Sequence, residues 1–238
     1  MAGTYRSGGK IDMPIVDSRR VCSTVIKAEC VGTILRRPPG FIEPCLPTNG
    51  RSVPTGPQWA YEIKHDGFRF ICRRDGDRVG VFSRRGNDYI NRVPRIAEAL
   101  ASLRVKSVTL DGEGVVCGAD GVSDFDLLRA ALGRLGSRRA FLYAFDILEL
   151  DGVDLGRELW DERRKVLARL LHRAGDGIQL SDHVDVVDGP TLFRHACVMG
   201  LEGIVAKRRD RPYRSGRCAD WVKVKNPAAP ATTRIMEW

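Results

Sequence analysis

The stretch from Phe68 to Ser83 limits the fold more than any other. Phe68–Arg73 and Arg78–Ser83 are short runs rich in aromatic and β-branched residues, and Asp75-Gly76-Asp77 separates them. Two such runs around a glycine-containing turn predict an antiparallel hairpin. Val93, Ile96, Ala97 and Leu100 recur at i, i+3, i+4 and i+7, which predicts a helix with one apolar face. Ser107–Val116 and Ala140–Leu150 are strand-like, and Ser123 opens a helix carrying Phe125, Leu128 and Leu132 on one side. Leu159, Val166, Leu167, Leu170 and Leu171 mark another amphipathic helix, and Thr191–Met199 a further one. Gly203–Lys207 and Trp221–Lys225 are short late strands. Hairpins interspersed with helices, without regular βαβ units, predict an α+β fold with largely antiparallel sheets.

The chain of 238 residues is long enough for one or two domains whose core needs no disulfide or metal staple. No apolar run approaches the ~20 residues of a membrane span. Residues 1–38 carry few aromatics and two arginine pairs, show no period and end at Pro38-Pro39-Gly40, so a loosely ordered basic extension is expected there. Met1–Lys10 lacks the apolar segment of a secretory signal, which predicts a cytoplasmic location. Lys and Arg number 39 against 30 Asp and Glu, a net charge of +9 that favours a polyanionic partner, although a bias towards arginine would give the same excess. The cysteines are Cys22, Cys30, Cys45, Cys72, Cys117, Cys197 and Cys218. Their number is odd and none form C-x-x-C, so reduced, mostly buried thiols are expected and a zinc site is not.

The chemistry is concentrated in Glu62-Ile-Lys-His-Asp-Gly-Phe-Arg69, where Lys64, Asp66, Gly67 and Arg69 form K-x-D-G-x-R at a strand end. It can be an ordinary charged lead-in to the hairpin, or it can present a lysine nucleophile. A lysine with a reference pKa near ~10.4 has to lose its proton to attack, and neighbouring cations or a metal favour that loss. Five further segments follow in order: Ser83-Arg-Arg-Gly86, Leu110-Asp-Gly-Glu113, Tyr143-Ala-Phe-Asp146, Leu201-Glu-Gly-Ile-Val-Ala-Lys207 and Trp221-Val-Lys-Val-Lys225. Each taken singly has a plain reading as solvated carboxylate, core aromatic or exposed strand face. The ordered set of six does not.

Together the six segments resemble the nucleotidyltransferase (adenylation) domain of ATP-dependent DNA ligases, over roughly Phe41 to Pro227. Phe41-Ile-Glu-Pro-Cys-Leu46, Pro212-Tyr-Arg-Ser-Gly-Arg217 and Asp220-Trp-Val-Lys-Val-Lys225 are similar to the bacterial ligase-D type, the end-joining ligases. The resemblance implies the ATP-grasp-like α+β fold of that domain and a set of roles. Lys64 would attack the α-phosphorus of ATP and form lysyl-AMP. Glu62 would lie at the adenine edge and Phe145 would stack on the base. Arg69 and Glu113 would hold the ribose. Glu113 and Glu202 would bind a divalent metal, Mg²⁺ or Mn²⁺, which takes one or two carboxylates with phosphate oxygens and water. Lys223 and Lys225 would neutralise the α-phosphate, with Lys207 supporting the same region. Arg84 would meet the 5′-phosphate of a DNA nick.

The implied partners are nicked or broken double-stranded DNA and other end-joining proteins, and the implied state is a monomer acting in repair or end joining beside the bacterial nucleoid. Two features depart from the family pattern. The usual Arg-Asn-Gly of the hairpin motif is Arg84-Arg85-Gly86 here, which keeps the first guanidinium. Family members continue into an oligonucleotide-binding barrel. The residues after Lys225 are too few for one, so the expectation is an adenylation domain over 39–227 with a short tail over 228–238. An RNA ligase or capping guanylyltransferase shares the lysine motif, and a non-catalytic nick- or end-binding module remains a further reading.

Overall fold

The computed structural model describes residues 37–133, 136–184 and 188–230. The predicted extension, apart from Arg37 and Pro38, and the tail over 231–238 lie outside the described residues. In chain order the elements are β1 (Cys45–Asn49), β2 (Trp59–Ile63), β3 (Phe68–Asp75), β4 (Arg78–Ser83), a 3-10 turn at Ile90–Arg92, α1 (Pro94–Ser102), β5 (Ser107–Val115) and α2 (Phe125–Ala131). Then come β6 (Phe141–Leu150), β7 (Val153–Asp154), α3 (Trp160–Leu171), β8 (Ile178–Leu180), β9 (His183–Val184), α4 (Gly189–Val198), β10 (Gly203–Arg208) and β11 (Gly216–Lys225).

The strands form two sheets. One runs β1-β11-β10-β2-β9, and the other β4-β3-β5-β6-β7 with β8 also paired to β6. The predicted hairpin is β3–β4, closed at Asp75↔Arg78 with Gly76 at φ +59°, a left-handed angle that glycine adopts without a Cβ penalty. Pairing is antiparallel except at β1–β11 and β6–β8, which bears out the largely antiparallel α+β expectation.

Two boundaries move for identifiable reasons. The α2 helix is capped by Asp124, whose carboxylate accepts from the N–H groups of Asp126 and Leu127, while Ser123 Oγ accepts the Asp66 N–H instead. The last strand starts at Gly216, earlier than Trp221, because Gly216, Arg217 and Cys218 pair in parallel with Cys45, Leu46 and Pro47 of β1. Local composition carries no trace of that distant partner.

Three apolar clusters hold these layers. Phe70, Leu110, Leu142 and Ile147 of the second sheet pack with Ile96 and Leu100 of α1, Leu128 of α2 and Leu167 of α3. Tyr61, Ile204, Ala206 and Val224 of the first sheet cover Ala196 of α4. Each large side chain so buried contributes about 1.5–3 kcal/mol. The third cluster joins Phe145 of the second sheet to Cys45, Ala60, Cys218 and Trp221 of the first, with Trp160 of α3. It forms the floor between the sheets, and the sequence-predicted site residues gather above it.

Candidate active site

Strand register arranges the first sheet's polar side chains in rows. Val205 of β10 pairs with Glu62 on one side and Lys223 on the other. Lys207 pairs with Ala60 and Trp221. Gly203 pairs with Lys225, and its carbonyl accepts the Lys64 N–H at 2.9 Å. Side chains two apart share a face, so Glu62, Lys64, Val205, Lys207, Trp221, Lys223 and Lys225 all project to one side. Gly203 makes this possible. Its φ is +138°, and a Cβ there would lie 2.1 Å from the Val224 carbonyl oxygen.

The facing strands supply Arg69 of β3 and Glu113 of β5, which are register partners, and Phe145 of β6. Between the two faces lies a cavity of about 180 Å³. Glu62, Lys64, Arg69, Arg84, Glu113, Phe145, Lys207 and Lys223 line it. Glu202 and Lys225 do not, but they join the set through Lys64: Glu202 Oε2 accepts from Lys64 Nζ at 2.5 Å, and Glu202 Oε1 is 3.2 Å from Lys225 Nζ.

The two ends of the cavity differ in chemistry. At one end Lys64, Lys223, Lys225 and Arg84 concentrate positive charge. Burial, and then the like charges of Lys64 and Lys225, lower the pKa of Lys223. At the other end Lys207 donates to both Glu62 oxygens at 2.8 Å, in a fully buried pair. Its Nζ lies 4.3 Å from the Phe145 ring centroid and 4.2 Å from that of Trp221. Burial lowers the Lys207 pKa, and Glu62 pulls it back. The resemblance implies that Lys207 supports the phosphate region. In the register it stands in the Trp221 row, one row from Lys223, with its ammonium on Glu62 and beside the aromatic rings.

Glu113 is half-buried, and desolvation raises its carboxyl to about 7 against the pull of Lys64 and Arg69, with Glu202 and Asp111 adding to the rise. Glu113 and Glu202 together offer a pair of hard-oxygen donors suited to Mg²⁺ or Mn²⁺. Among the described residues no group of three or more His, Cys, Asp or Glu could hold a metal ion by itself, so such an ion would rely on phosphate oxygens and water as well.

Sequence reasoning missed several residues that position this set. Arg69 is held bidentately by buried Asp111, with Nε to Oδ1 at 2.5 Å and Nη2 to Oδ2 at 2.6 Å, and its guanidinium lies 4.4 Å from the Phe145 ring centroid. Behind Phe145, Asp146 forms a fully buried bidentate pair with Arg163 of α3. Arg163 Nη1 also donates to the Glu158 carbonyl. His65 stacks on Tyr143 at 4.0 Å. Burial, and then the charge on Lys64, lower the His65 pKa to about 4, so the ring is neutral at physiological pH. The only sequence sign of Asp111 and Asp146 is that they stand in the same short segments as Glu113 and Phe145.

The sequence from residue 51 to residue 225 matches the family described as the ATP dependent DNA ligase domain. The chain belongs to this family. Among similar ligases, the multifunctional non-homologous end joining protein LigD of Pseudomonas aeruginosa is 36% identical over 188 residues, which is 79% of this chain and 22% of that protein. A probable DNA ligase of Pseudarthrobacter chlorophenolicus is 32% identical, over 85% of this chain and 40% of its own. Of solved structures, the ligase domain of Mycobacterium tuberculosis LigD superposes with a TM-score of 0.68 at 36% identity, covering 77% of this chain and 60% of that one. The chain thus spans about a quarter or less of the length of the LigD relatives. The fold class and the likeness to bacterial ligase-D domains are as the sequence led one to expect.

Proposed function

We propose that the chain carries out covalent nucleotidyl transfer for DNA sealing, with Lys64 as the nucleophile. The observation that carries this reading is the placing of Lys64 Nζ on the cavity wall, hydrogen-bonded to Glu202, with Lys223, Lys225 and Arg84 at the same end. ATP would enter with its base towards Glu62, Phe145 and Trp221 and its phosphates towards the lysines. The Lys64 ammonium loses a proton before attack, and Glu202 Oε2 is the acceptor within hydrogen-bond reach. The Nζ lone pair then forms a bond to the α-phosphorus as the bond to the pyrophosphate oxygen breaks. Lys223 and Lys225 offset the charge that builds on the α-phosphate. Arg69 and Glu113 hold the ribose. Glu113 and Glu202 would hold a divalent cation, which supplies positive charge against the triphosphate.

The lysyl-AMP then passes its AMP to the 5′-phosphate of a nick, met by Arg84, and the 3′-hydroxyl displaces AMP and closes the strand. Broken or nicked double-stranded DNA in bacterial end joining is the proposed substrate, supported by the names of the LigD relatives and by the net charge of +9. The chain would act as a monomer in the cytoplasm, with other end-joining proteins as partners. Among the described residues no helix is long and apolar enough to cross a membrane. The same reading assigns residues 39–227 to the adenylation domain. The test is intact-mass analysis after incubation with ATP and Mg²⁺. An AMP adduct is expected, and Lys64→Ala should abolish it. An adduct that survives this substitution overturns the assignment. Lys64→Arg should fail as well, since a guanidinium does not deprotonate in proteins.

A further inference from the structure

The Pro212-Tyr213-Arg214-Ser215-Gly216-Arg217 segment has no part in the chemistry above, yet its tyrosine reaches the cavity through one intermediary. Tyr213 Oη donates to Asp111 Oδ2 at 2.5 Å and accepts the Cys45 N–H at 2.7 Å. The Cys45 amide can only donate, so the hydroxyl proton is committed to Asp111. That carboxylate is fully buried, and its two oxygens also receive Nε and Nη2 of Arg69. Burial, and then the charge on Asp111, hold the Tyr213 pKa well above its ordinary value, so it stays a donor. The tyrosine is itself fixed: its N–H donates to the Gly156 carbonyl at 2.9 Å, and its ring meets Trp221 edge-on at 5.8 Å. Arg69 lines the cavity and Tyr213 does not.

We propose that Tyr213 is a positioning residue for Arg69, acting through Asp111. Without the hydroxyl, Asp111 keeps Arg69 as its ion-pair partner but loses the third donor that fixes the plane of its carboxylate. Arg69 follows that plane, so the guanidinium is no longer held at its distance from Phe145 on the ribose side of the cavity. The loop between β10 and β11 thereby sets a nucleotide contact on β3, in the opposite sheet. This inference rests on the reading of the cavity as a nucleotide site.

Tyr213→Phe removes one oxygen and keeps the ring. In lysyl-AMP formation by the full chain, the KM for ATP should rise about tenfold, the effect of losing one hydrogen bond to a charged group, while kcat stays within about threefold. The preference for ATP over 2′-deoxy-ATP should shrink. In an Arg69→Lys background the same substitution should add nothing, because both act through one contact. A merely structural tyrosine would lower the yield of folded enzyme without changing nucleotide preference, and its effect would add to that of Arg69→Lys. A second readout needs no activity: the Arg69 Nε–H signal in a ¹⁵N spectrum should be exchange-protected in the wild type and broadened or lost in Tyr213→Phe. Unchanged KM, unchanged preference and an unchanged Arg69 signal overturn the proposal. If wild type forms no lysyl-AMP, the nucleotidyl-transfer reading fails, and the Arg69 signal still decides the role of Tyr213.

Discussion

One carboxylate holds two lysines: Glu202 Oε2 lies 2.5 Å from Lys64 Nζ. Its other oxygen faces Lys225 Nζ at 3.2 Å, and only about a twentieth of the Glu202 side chain is exposed. Glu202 thereby sets the distance between the two lysines and fixes the direction of the Lys64 ammonium. The contact depends on the backbone beneath it, since Lys64 is tied to β10 through the Gly203 carbonyl.

Glu202→Gln keeps the shape and removes the charge. Lysyl-AMP formation should slow by roughly 10- to 100-fold, and the Mg²⁺ concentration for half-maximal rate should rise by a similar factor, the range seen when groups supporting a metal site are altered. Thermal unfolding should shift by only a few degrees, about 1 kcal/mol. The measurement is adduct yield against time over a Mg²⁺ series. A rate within about twofold of wild type, in folded protein, removes Glu202 from the site.

Glu62 and Lys207 form a pair with essentially no solvent contact. Lys207→Met leaves the Glu62 carboxylate buried without its partner, which should cost about 3–5 kcal/mol of stability. Replacing both, as Glu62→Gln with Lys207→Met, should recover most of that loss, because no charge is then left unpaired. Urea unfolding of the single and double variants gives the comparison. Additive losses would mean that the two side chains do not act as a pair.

The pH dependence has a definite sign at His65. Its folded-state pKa of about 4 lies below the ordinary 6.5. Between those values the unfolded chain binds a proton that the native ring refuses, so stability falls as the pH drops from about 6.5 towards 4. A fully buried ring shifted that far would contribute roughly 3 kcal/mol, and about 1–2 kcal/mol is expected for this partly exposed one. Glu113 has the opposite sign, since a carboxyl raised to about 7 loses stability as the pH rises. It is present in both proteins of the comparison and cancels. His65→Phe keeps the stack on Tyr143, so the variant should gain on wild type in urea unfolding at about pH 4.5 relative to about pH 7.5. An unchanged difference between the two pH values would mean that the native ring takes up a proton freely.

Most of the fold was legible because it is locally encoded. The β3–β4 turn, the apolar stripe of α1 and the runs of β5 and β6 each show in their own residues. The invisible part depends on distant partners. The early residues of β11 are a strand only because β1 lies beside them, and Ser123 gives up the helix cap because Asp66 takes its hydroxyl. The site follows the same division. Lys64, Glu113, Glu202, Lys223 and Lys225 stand in recognisable segments; Lys64, Glu113 and Lys223 line one cavity, and Glu202 and Lys225 join them through the contact with Lys64. The buried partners Asp111, Asp146 and Arg163 and the partly buried Tyr213 define the geometry through contacts between residues as far apart as 168 positions, and no periodicity marks them. Lys207 is the instructive case: its segment is recognisable, but its ion pair with Glu62 and its place beside Trp221 come from the pairing of strands far apart in sequence.

Arg84 allows DNA recognition to be separated from adenylation. It lies just past the end of β4, is exposed, and lines the cavity at the same end as Lys223, whose pKa its charge helps to lower. A guanidinium there suits a phosphate monoester, which offers two oxygens to its fork. Sealing a nick requires no base readout, so binding should rest on backbone contacts, be indifferent to sequence and weaken steeply with salt. Arg84→Ala should remove one phosphate contact, making the slope of log K against log salt shallower by about one. It should also erase the preference for a 5′-phosphorylated nick over an unphosphorylated one. Lysyl-AMP formation should stay within about threefold of wild type, because Lys64, Lys223 and Lys225 are untouched. The measurement is a binding titration of both nicks at several salt concentrations, with adduct yield taken on the same samples. A wild type that binds the two nicks equally would show that Arg84 does not read the phosphate. An Arg84→Ala variant that loses adenylation in parallel would place this arginine with the ATP phosphates instead.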